Sequence, residues 1–183
     1  MKHNIILVGY MGSGKTCVGE YLAKRLSYQF QDTDQLIEKK AGDTINNIFA
    51  SCGEEYFRDL ETGLLKELVP LLTHTVLSTG GGMPLRKENG ALLRELGLVV
   101  FLKASKETTL DRLRGDASRP LLQGDGLEEK VENMLGLRLP VYENTAHGTV
   151  VTDGRTIEEI ANSIMELYED VKEAPTGAER RQA

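Results

Sequence analysis

The chain has 183 residues, of which 40% are apolar and 27% charged, and its formal net charge at neutral pH is −6. This length supports one hydrophobic core and therefore one folded domain. The acidic balance argues against broad nucleic-acid binding, so an anionic substrate must meet a local group of arginines. No run approaches the ~18 apolar residues of a membrane span, and the run after Lys2 is too short for a signal peptide.

Cysteine and histidine spacing indicates neither a disulfide nor a metal site. Cys17 and Cys52 form no C-x-x-C pair and lie in helix-like contexts, as is typical of a reduced, cytoplasmic protein. His3, His74 and His147 are scattered without the spacing of zinc ligands. We therefore expect the three histidines to be structural or surface residues.

Hydrophobic periodicity predicts short strands that alternate with helices along the chain. Gly53 should close one helix, Pro70 should break or kink the next near its end, and Pro140 should end the helix that starts at Leu127. The predicted strands are 5–8, 28–31, 75–78, 98–102 and 148–152. The predicted helices are 17–26, 35–41, 44–51, 54–72, 86–96, 106–114, 127–139 and 156–171.

The alternation predicts an α/β domain with a five-stranded parallel sheet flanked by helices. We expect this single domain to cover residues 1–171. The tail, 172–183, lacks an apolar period and is expected to be disordered. Ligands of such sheets bind at the carboxyl ends of the strands, so the segments that follow the strands are the candidates for function.

The first strand runs directly into Gly9-Tyr10-Met11-Gly12-Ser13-Gly14-Lys15-Thr16, which fits the phosphate-binding pattern G-x-x-x-x-G-K-[ST]. Glycines let the backbone approach an oxyanion, and the amides of the loop and of the next helix then point at the phosphates. Lys15 would lie near the β- and γ-phosphates, and the Thr16 hydroxyl can ligate Mg²⁺. The alternative is a glycine-rich turn that precedes Lys-Thr by chance.

The second strand ends at Asp32-Thr33-Asp34. In extended chain the two carboxylates point to opposite sides, so we expect them to do different work. Because no carboxylate follows the strand at 75–78, Asp32 is the candidate to support Mg²⁺, and Asp34 can face an acceptor hydroxyl. The alternative is that Asp32 caps the following helix and Asp34 is solvated.

Two further patterns are ambiguous when taken alone. Gly80-Gly81-Gly82 after a strand indicates close approach of the backbone, either to a ligand or within a tight turn. Arg58 and Glu61 lie one turn apart on a predicted helix and could be only a surface ion pair.

Arginines are frequent toward the carboxyl-terminal side of the chain. Arg119 lies in a polar, Gly- and Pro-punctuated segment that we interpret as a mobile lid over about 112–125, where an arginine can neutralise transition-state charge. Arg138 comes just before Pro140 and could reach a carboxylate. For any one arginine, a solvated surface charge is the alternative.

Taken together, these motifs resemble the shikimate kinase family. The match is ordered and spans about residues 5 to 157. The motifs are G-x-x-G-x-G-K-T at 9–16, Asp-Thr-Asp at 32–34, Phe-Arg-x-x-Glu at 57–61, Gly-Gly-Gly at 80–82, Arg-Pro-Leu at 119–121 and Arg-x-Pro-x-Tyr at 138–142.

The resemblance implies a P-loop fold like that of the nucleoside-monophosphate kinases and the ATP-dependent phosphorylation of the shikimate 3-hydroxyl, a step of aromatic amino-acid synthesis. It also implies Mg²⁺, a cytoplasmic location, a monomer, and no nucleic-acid or membrane partner. The implied catalytic residues are Lys15, Asp34 and Arg119, and the metal residues are Thr16 and Asp32. The implied ATP-binding residues are Gly12, Ser13, Gly14, Lys15, Thr16, Cys17, Arg112, Arg119 and Arg155. The implied substrate-binding residues are Asp34, Arg58, Gly80, Gly81, Gly82 and Arg138.

Two other readings stay open on the sequence alone. Another small-metabolite kinase, such as gluconate kinase, or a nucleoside-monophosphate kinase would use the same loop and lid. A GTPase-like or other nucleotide-sensing module would need an Asn-Lys-x-Asp motif, and the sequence has no Asn-Lys pair.

Overall fold

The computed structural model describes residues 2–114 and 127–173. Most of the predicted lid, including Arg119, lies outside the described residues. The predicted disordered tail also lies outside them from residue 174 onward.

The five predicted strands form one sheet, and every pairing in it is parallel. The strands are β1 Asn4–Val8, β2 Gln29–Asp32, β3 Thr75–Ser78, β4 Leu98–Lys103 and β5 Gly148–Val151. Their order in the sheet is β2-β3-β1-β4-β5, so β1 is central, with β3 between it and the edge strand β2 and with β4 between it and the edge strand β5. This order makes the carboxyl end of β1 a topological switch point, where ligands of such sheets bind.

Seven helices lie in the described part of the chain, with a short 3₁₀ turn at Met83–Leu85. The helices are α1 Lys15–Leu26, α2 Thr33–Ala41, α3 Ile45–Leu71, α4 Lys87–Leu96, α5 Lys106–Arg114, α6 Leu127–Thr145 and α7 Ile157–Glu173. Alternate residues of each strand point to opposite faces of the sheet, as the pleat requires. Ile5 and Leu7 belong to the hydrophobic core shared with α1 and α7, whereas Ile6 and Val8 belong to the core shared with α3, α4 and α6.

Gly53 interrupts α3 as predicted. Its backbone angles, φ 81° and ψ 174°, are not helical, so the two predicted helices meet there at a kink. Pro70 stands one residue before the last residue of α3 and does not break the helix earlier.

The prediction that Pro140 ends the sixth helix was wrong, because α6 continues to Thr145. A proline removes one backbone donor, but the last turn has other supports. The Ala146 amide donates to the Tyr142 carbonyl at 2.9 Å. The Arg94 guanidinium donates to the carbonyls of Asn144, Thr145 and Ala146, which satisfies the end of the helix.

The prediction that Asp32 and Asp34 share an extended segment was also wrong. Asp32 is the last residue of β2, but α2 begins at Thr33, so Asp34 lies in its first helical turn. The Asp32 carboxylate accepts a hydrogen bond from the Asp34 amide at 2.9 Å and thereby caps the helix.

Candidate active site

The loop after β1 has the backbone that its glycines predict. Gly9, Gly12 and Gly14 have φ values of 150°, 76° and 92°, and Gly14 is the N-cap of α1. A Cβ on Gly9 would lie 2.6 Å from the Leu102 carbonyl oxygen, so the position admits only glycine. The first amides of α1 therefore open onto the loop, an arrangement that suits phosphate oxygens.

Two basic side chains lie against this loop. The Lys15 ammonium is buried and donates to the carbonyls of Gly9 and Tyr10, each at 2.9 Å. Arg112 on α5 donates to the Gly12 carbonyl at 2.8 Å, so its guanidinium lies beside the loop. Both residues were predicted from sequence to bind ATP.

A cavity of about 480 Å³ opens beside the loop at the carboxyl ends of the strands. It unites residues that are far apart in the sequence, from the loop to α6. Its lining consists of Met11, Gly12, Gly14, Lys15, Thr16, Cys17, Asp32, Asp34, Ile45, Asn46, Phe49, Phe57, Arg58, Glu61, Ser78, Thr79, Gly80, Gly81, Gly82 and Arg138.

Arg58 is buried beside the cavity, with an 11% exposed side chain. Its guanidinium donates to Glu61 at 2.7 Å and to Glu54 at 2.8 Å, both on α3. A Cβ on Gly82 would lie 2.4 Å from an Arg58 nitrogen, so the guanidinium packs directly against the glycine backbone. The sequence predicts that the backbone of the glycine triplet comes close to another group. At Gly82 that group is the buried guanidinium of Arg58.

Glu61 is the most buried carboxylate of the cavity, with 1% of its side chain exposed. Burial raises the pKa of Glu61 to about 7, and the Asp34 charge also raises it, whereas Arg58 acts in the opposite direction. One oxygen accepts from Arg58, and the other faces Gly80. The Glu61 charge therefore responds to pH in the physiological range.

The Asp34 carboxylate lies beside Gly80. A Cβ on Gly80 would be 2.5 Å from an Asp34 carboxylate oxygen and 3.3 Å from a Glu61 oxygen. The Gly80 amide donates to the Thr33 hydroxyl at 2.9 Å, which fixes the glycine against the start of α2. Two carboxylates and a backbone turn therefore meet in one corner of the cavity.

Arg138 reaches the cavity from α6. One guanidinium nitrogen lies 3.8 Å from where a Cβ on Gly81 would be. The Tyr142 hydroxyl, one turn further along α6, donates to the Gly81 carbonyl at 2.6 Å and ties the helix to the glycine triplet. Arg58 and Arg138, 80 positions apart, thus approach neighbouring glycines of one turn.

Not every predicted site residue lines the cavity. Ser13 on the loop and Arg112 on α5 lie outside the lining, although Arg112 contacts the loop. Arg155 donates to the Val151 carbonyl at the end of β5 and to the Glu159 carbonyl and the Ser163 hydroxyl on α7. These hydrogen bonds hold the Arg155 guanidinium against β5 and α7, and the residue does not line the cavity.

Sequence reasoning missed one wall of the cavity. Ile45, Asn46, Phe49 and Phe57 line it from α3, with the rings of Phe49 and Phe57 4.7 Å apart. The apolar positions Ile45, Phe49 and Phe57 fit the apolar face of a helix, and such a pattern cannot distinguish a face that packs in the core from one that faces a ligand. Only the tertiary fold places this face over the cavity.

Comparison with known sequences identifies the family. The sequence model of shikimate kinase matches residues 11–169. The shikimate kinase of Thermodesulfovibrio yellowstonii is 41% identical over 173 residues, which is 94% of this chain and 99% of that protein. The shikimate kinase of Neisseria meningitidis serogroup C is 50% identical over 146 residues, or 80% of this chain and 85% of that protein.

The chain belongs to the shikimate kinase family. It is accordingly an ATP-dependent kinase with shikimate as its acceptor, and the resemblance noted in the sequence is confirmed. Membership decides against gluconate kinase, a nucleoside-monophosphate kinase and a nucleotide-sensing module.

Solved structures of shikimate kinases share the fold. The shikimate kinase of Acinetobacter baumannii, in complex with shikimate, superposes with a TM-score of 0.87 at 41% identity, over 94% of this chain and 96% of that one. The Aquifex aeolicus shikimate kinase gives a TM-score of 0.76 at 32% identity, over 92% and 98% of the two chains. These neighbours confirm the predicted P-loop kinase architecture.

Proposed function

We propose that this shikimate kinase family member holds shikimate against Arg58 and Arg138 and the phosphates of ATP against the loop at 9–16. The observation that carries the proposal is that both arginines line the cavity into which the loop opens. Phosphoryl transfer requires donor and acceptor to lie side by side with their charges neutralised. One cavity with cations at both the loop and the acceptor side meets that requirement.

The acceptor side is assigned by charge. Arg58 and Arg138 can clamp the shikimate carboxylate, because planar guanidinium groups suit bidentate contact with carboxylates. The backbone of Gly80, Gly81 and Gly82 then contacts the ring hydroxyls. Asp34 orients the 3-hydroxyl and takes its proton as the hydroxyl oxygen bonds to the γ-phosphorus, while the bond from that phosphorus to the bridging oxygen breaks and ADP leaves.

Glu61 has a supporting role in the same corner. Its carboxylate accepts a hydrogen bond from the Arg58 guanidinium at 2.7 Å and thereby anchors the arginine beside the cavity. Glu54 provides a second contact from a more exposed position.

The nucleotide side is assigned to the loop and the start of α1. Backbone amides from Gly12 to Cys17 and the Lys15 ammonium hold the β- and γ-phosphates. Arg112, which already contacts the loop, borders the nucleotide. Arg155 as an adenine neighbour and Arg119 as the lid arginine remain predictions from the sequence.

The Mg²⁺ site is proposed at Thr16 and Asp32. Both residues line the cavity beside the loop, although no group of three acidic, cysteine or histidine side chains within 2–114 and 127–173 could hold a metal alone. The pair still fits, because Mg²⁺ binds through one or two protein groups and the substrate phosphates. When bound, the ion neutralises charge on the β- and γ-phosphates.

We also propose a monomer in the cytoplasm, formed by one domain over residues 1–171. No helix in the described ranges is long and apolar enough to cross a membrane.

The proposed function is tested by ADP release from Mg·ATP with shikimate, gluconate and a nucleoside monophosphate as separate acceptors. Turnover with shikimate alone is the expected result. Turnover with either other acceptor would leave the phosphate loop assignments in place and overturn the acceptor site. Release of ADP with none of the three, despite ATP binding, would overturn the proposal as a whole.

A further inference from the structure

The ring of Tyr10 lies beneath the guanidinium of Arg138. The Arg138 Cζ atom is 5.6 Å from the ring centroid, within the range of a cation–π contact. Tyr10 is the second residue of the phosphate loop, whereas Arg138 stands on α6, and no sequence pattern connects the two.

Tyr10 is rigidly placed. Only 3% of the residue is exposed, and its hydroxyl donates to the Met134 sulfur at 3.7 Å. Met134 lies one turn before Arg138 on the same face of α6. The tyrosine therefore contacts α6 at two successive turns. Its hydrogen bond to Met134 fixes the position of the ring against Arg138.

The backbone of the same residue serves the nucleotide side. The Tyr10 carbonyl accepts hydrogen bonds from the Lys15 ammonium at 2.9 Å and from the Ser13 amide at 3.2 Å. Tyr10 thus contributes its backbone to the phosphate loop and its side chain to the acceptor side.

We propose that Tyr10 is a positioning residue for Arg138, holding the guanidinium over its ring and directed at the acceptor carboxylate. The proposal rests on the role given to Arg138 in the proposed function. A long, partly exposed arginine loses considerable side-chain freedom when it binds a carboxylate, and a preformed aromatic platform removes part of that loss before the substrate arrives. We expect the effect on shikimate affinity, because Tyr10 does not itself line the cavity.

The test compares kcat, the shikimate KM and the ATP KM of four variants with the parent enzyme. Tyr10→Leu and Tyr10→Met remove the aromatic face but keep an apolar side chain, so one can replace the other if it folds poorly. Tyr10→Phe keeps the face and removes only the hydroxyl. Leu93→Ala is the control for a weakened core. Leu93 lies on α4, belongs to the same hydrophobic cluster as Tyr10 and does not line the cavity.

Tyr10→Leu should raise the shikimate KM about three- to tenfold, the range expected for a partly desolvated cation–π contact. The ATP KM should change less than about twofold, and Tyr10→Phe should recover most of the lost affinity. An equal rise of both KM values, or a similar rise in Leu93→Ala, would overturn the proposal in favour of a purely structural role.

Repeating Tyr10→Leu in an Arg138→Met background separates the two proposals. Arg138→Met alone should raise the shikimate KM, and adding Tyr10→Leu should then raise it less than about twofold further. If the second change still had its full effect, Tyr10 would not act through Arg138. If Arg138→Met left the KM unchanged, the acceptor site of the proposed function would be wrong instead.

Discussion

At the scale of single residues, the acceptor site depends on charged side chains that occupy the space a Cβ atom would take at two glycines. Arg58 packs against Gly82, and Asp34 packs against Gly80. From the sequence the glycine triplet was compatible with a ligand contact or a tight turn, and the Arg58–Glu61 pair with a surface ion pair. Neither ambiguity could be resolved without the fold, because the two segments meet only in tertiary structure.

This packing predicts that Gly82→Ala weakens shikimate binding. The new Cβ would lie 2.4 Å from an Arg58 nitrogen, and the guanidinium would move because it is the flexible end of the side chain. The shikimate KM should rise about tenfold or more, as expected when a charge-assisted bidentate pair is misplaced, with little change in unfolding temperature.

Gly81→Ala is the matched comparison for Gly82→Ala. Its nearest neighbour would be the Gly9 carbonyl oxygen at 3.5 Å, an ordinary contact. Steady-state kinetics should therefore show a smaller rise in the shikimate KM than for Gly82→Ala. Equal effects of the two changes would contradict the Arg58 argument.

The buried Glu61 carboxyl predicts a pH-dependent stability. Its pKa is raised from 4.5 to about 7, so between these values the folded protein holds a proton that the unfolded chain has released. The stability from this group is full below about 4.5 and is lost as the pH rises through about 7. Urea unfolding of the parent and Glu61→Gln from pH 5 to pH 8 should show the parent losing about 1–3 kcal/mol relative to the variant.

Glu166→Gln, an exposed change on α7, is the control for pH effects of the remaining chain. A constant difference between the parent and Glu61→Gln over this range would show that the Glu61 pKa is not raised.

At the scale of elements, the strands and most helix ends were predictable, because short apolar runs and glycine stops are local signals. Pro140 was misleading because the hydrogen bond that a proline removes can be inferred from the local sequence, whereas the contacts that support the helix beyond it cannot. Those contacts come from Arg94 on α4, which donates to the carbonyls at the end of α6. Asp34 was misplaced for a related reason, since the extended pattern of β2 gave no sign that the next helix would start at Thr33, two residues before the predicted start.

Two glycines of α3 predict opposite responses to the same substitution. Neither Gly53 nor Gly63 has another atom within 4 Å of its missing Cβ, so crowding does not contribute. Gly63→Ala in the helix interior should stabilise the protein by about 0.5–1 kcal/mol. Gly53→Ala should destabilise it by about 1–3 kcal/mol, because φ 81° and ψ 174° are strained for any other residue.

Urea unfolding at one pH measures both free energies. Stabilisation by both changes would show that the α3 kink at Gly53 straightens at little cost.

At the scale of the whole molecule, function arises because parallel strands deliver distant segments to one edge of the sheet. That edge could be predicted from the sequence, as could the loop at 9–16 and the two arginines. The wall formed by Ile45, Asn46, Phe49 and Phe57, and the contact of Tyr10 with Arg138, could not, because they depend on how α3 and α6 pack across that edge.

The central claim is that Arg58 and Arg138 recognise the acceptor through its carboxylate. The most direct test compares kcat/KM for shikimate and for shikimate methyl ester in the parent enzyme and in Arg58→Met. The parent should prefer the free acid by about a hundredfold or more, because the neutral ester cannot accept the charge-assisted hydrogen bonds that the two guanidinium groups give to a carboxylate. Arg58→Met should lose most of that preference. Equal use of acid and ester by the parent, or an undiminished preference in Arg58→Met, would contradict the account.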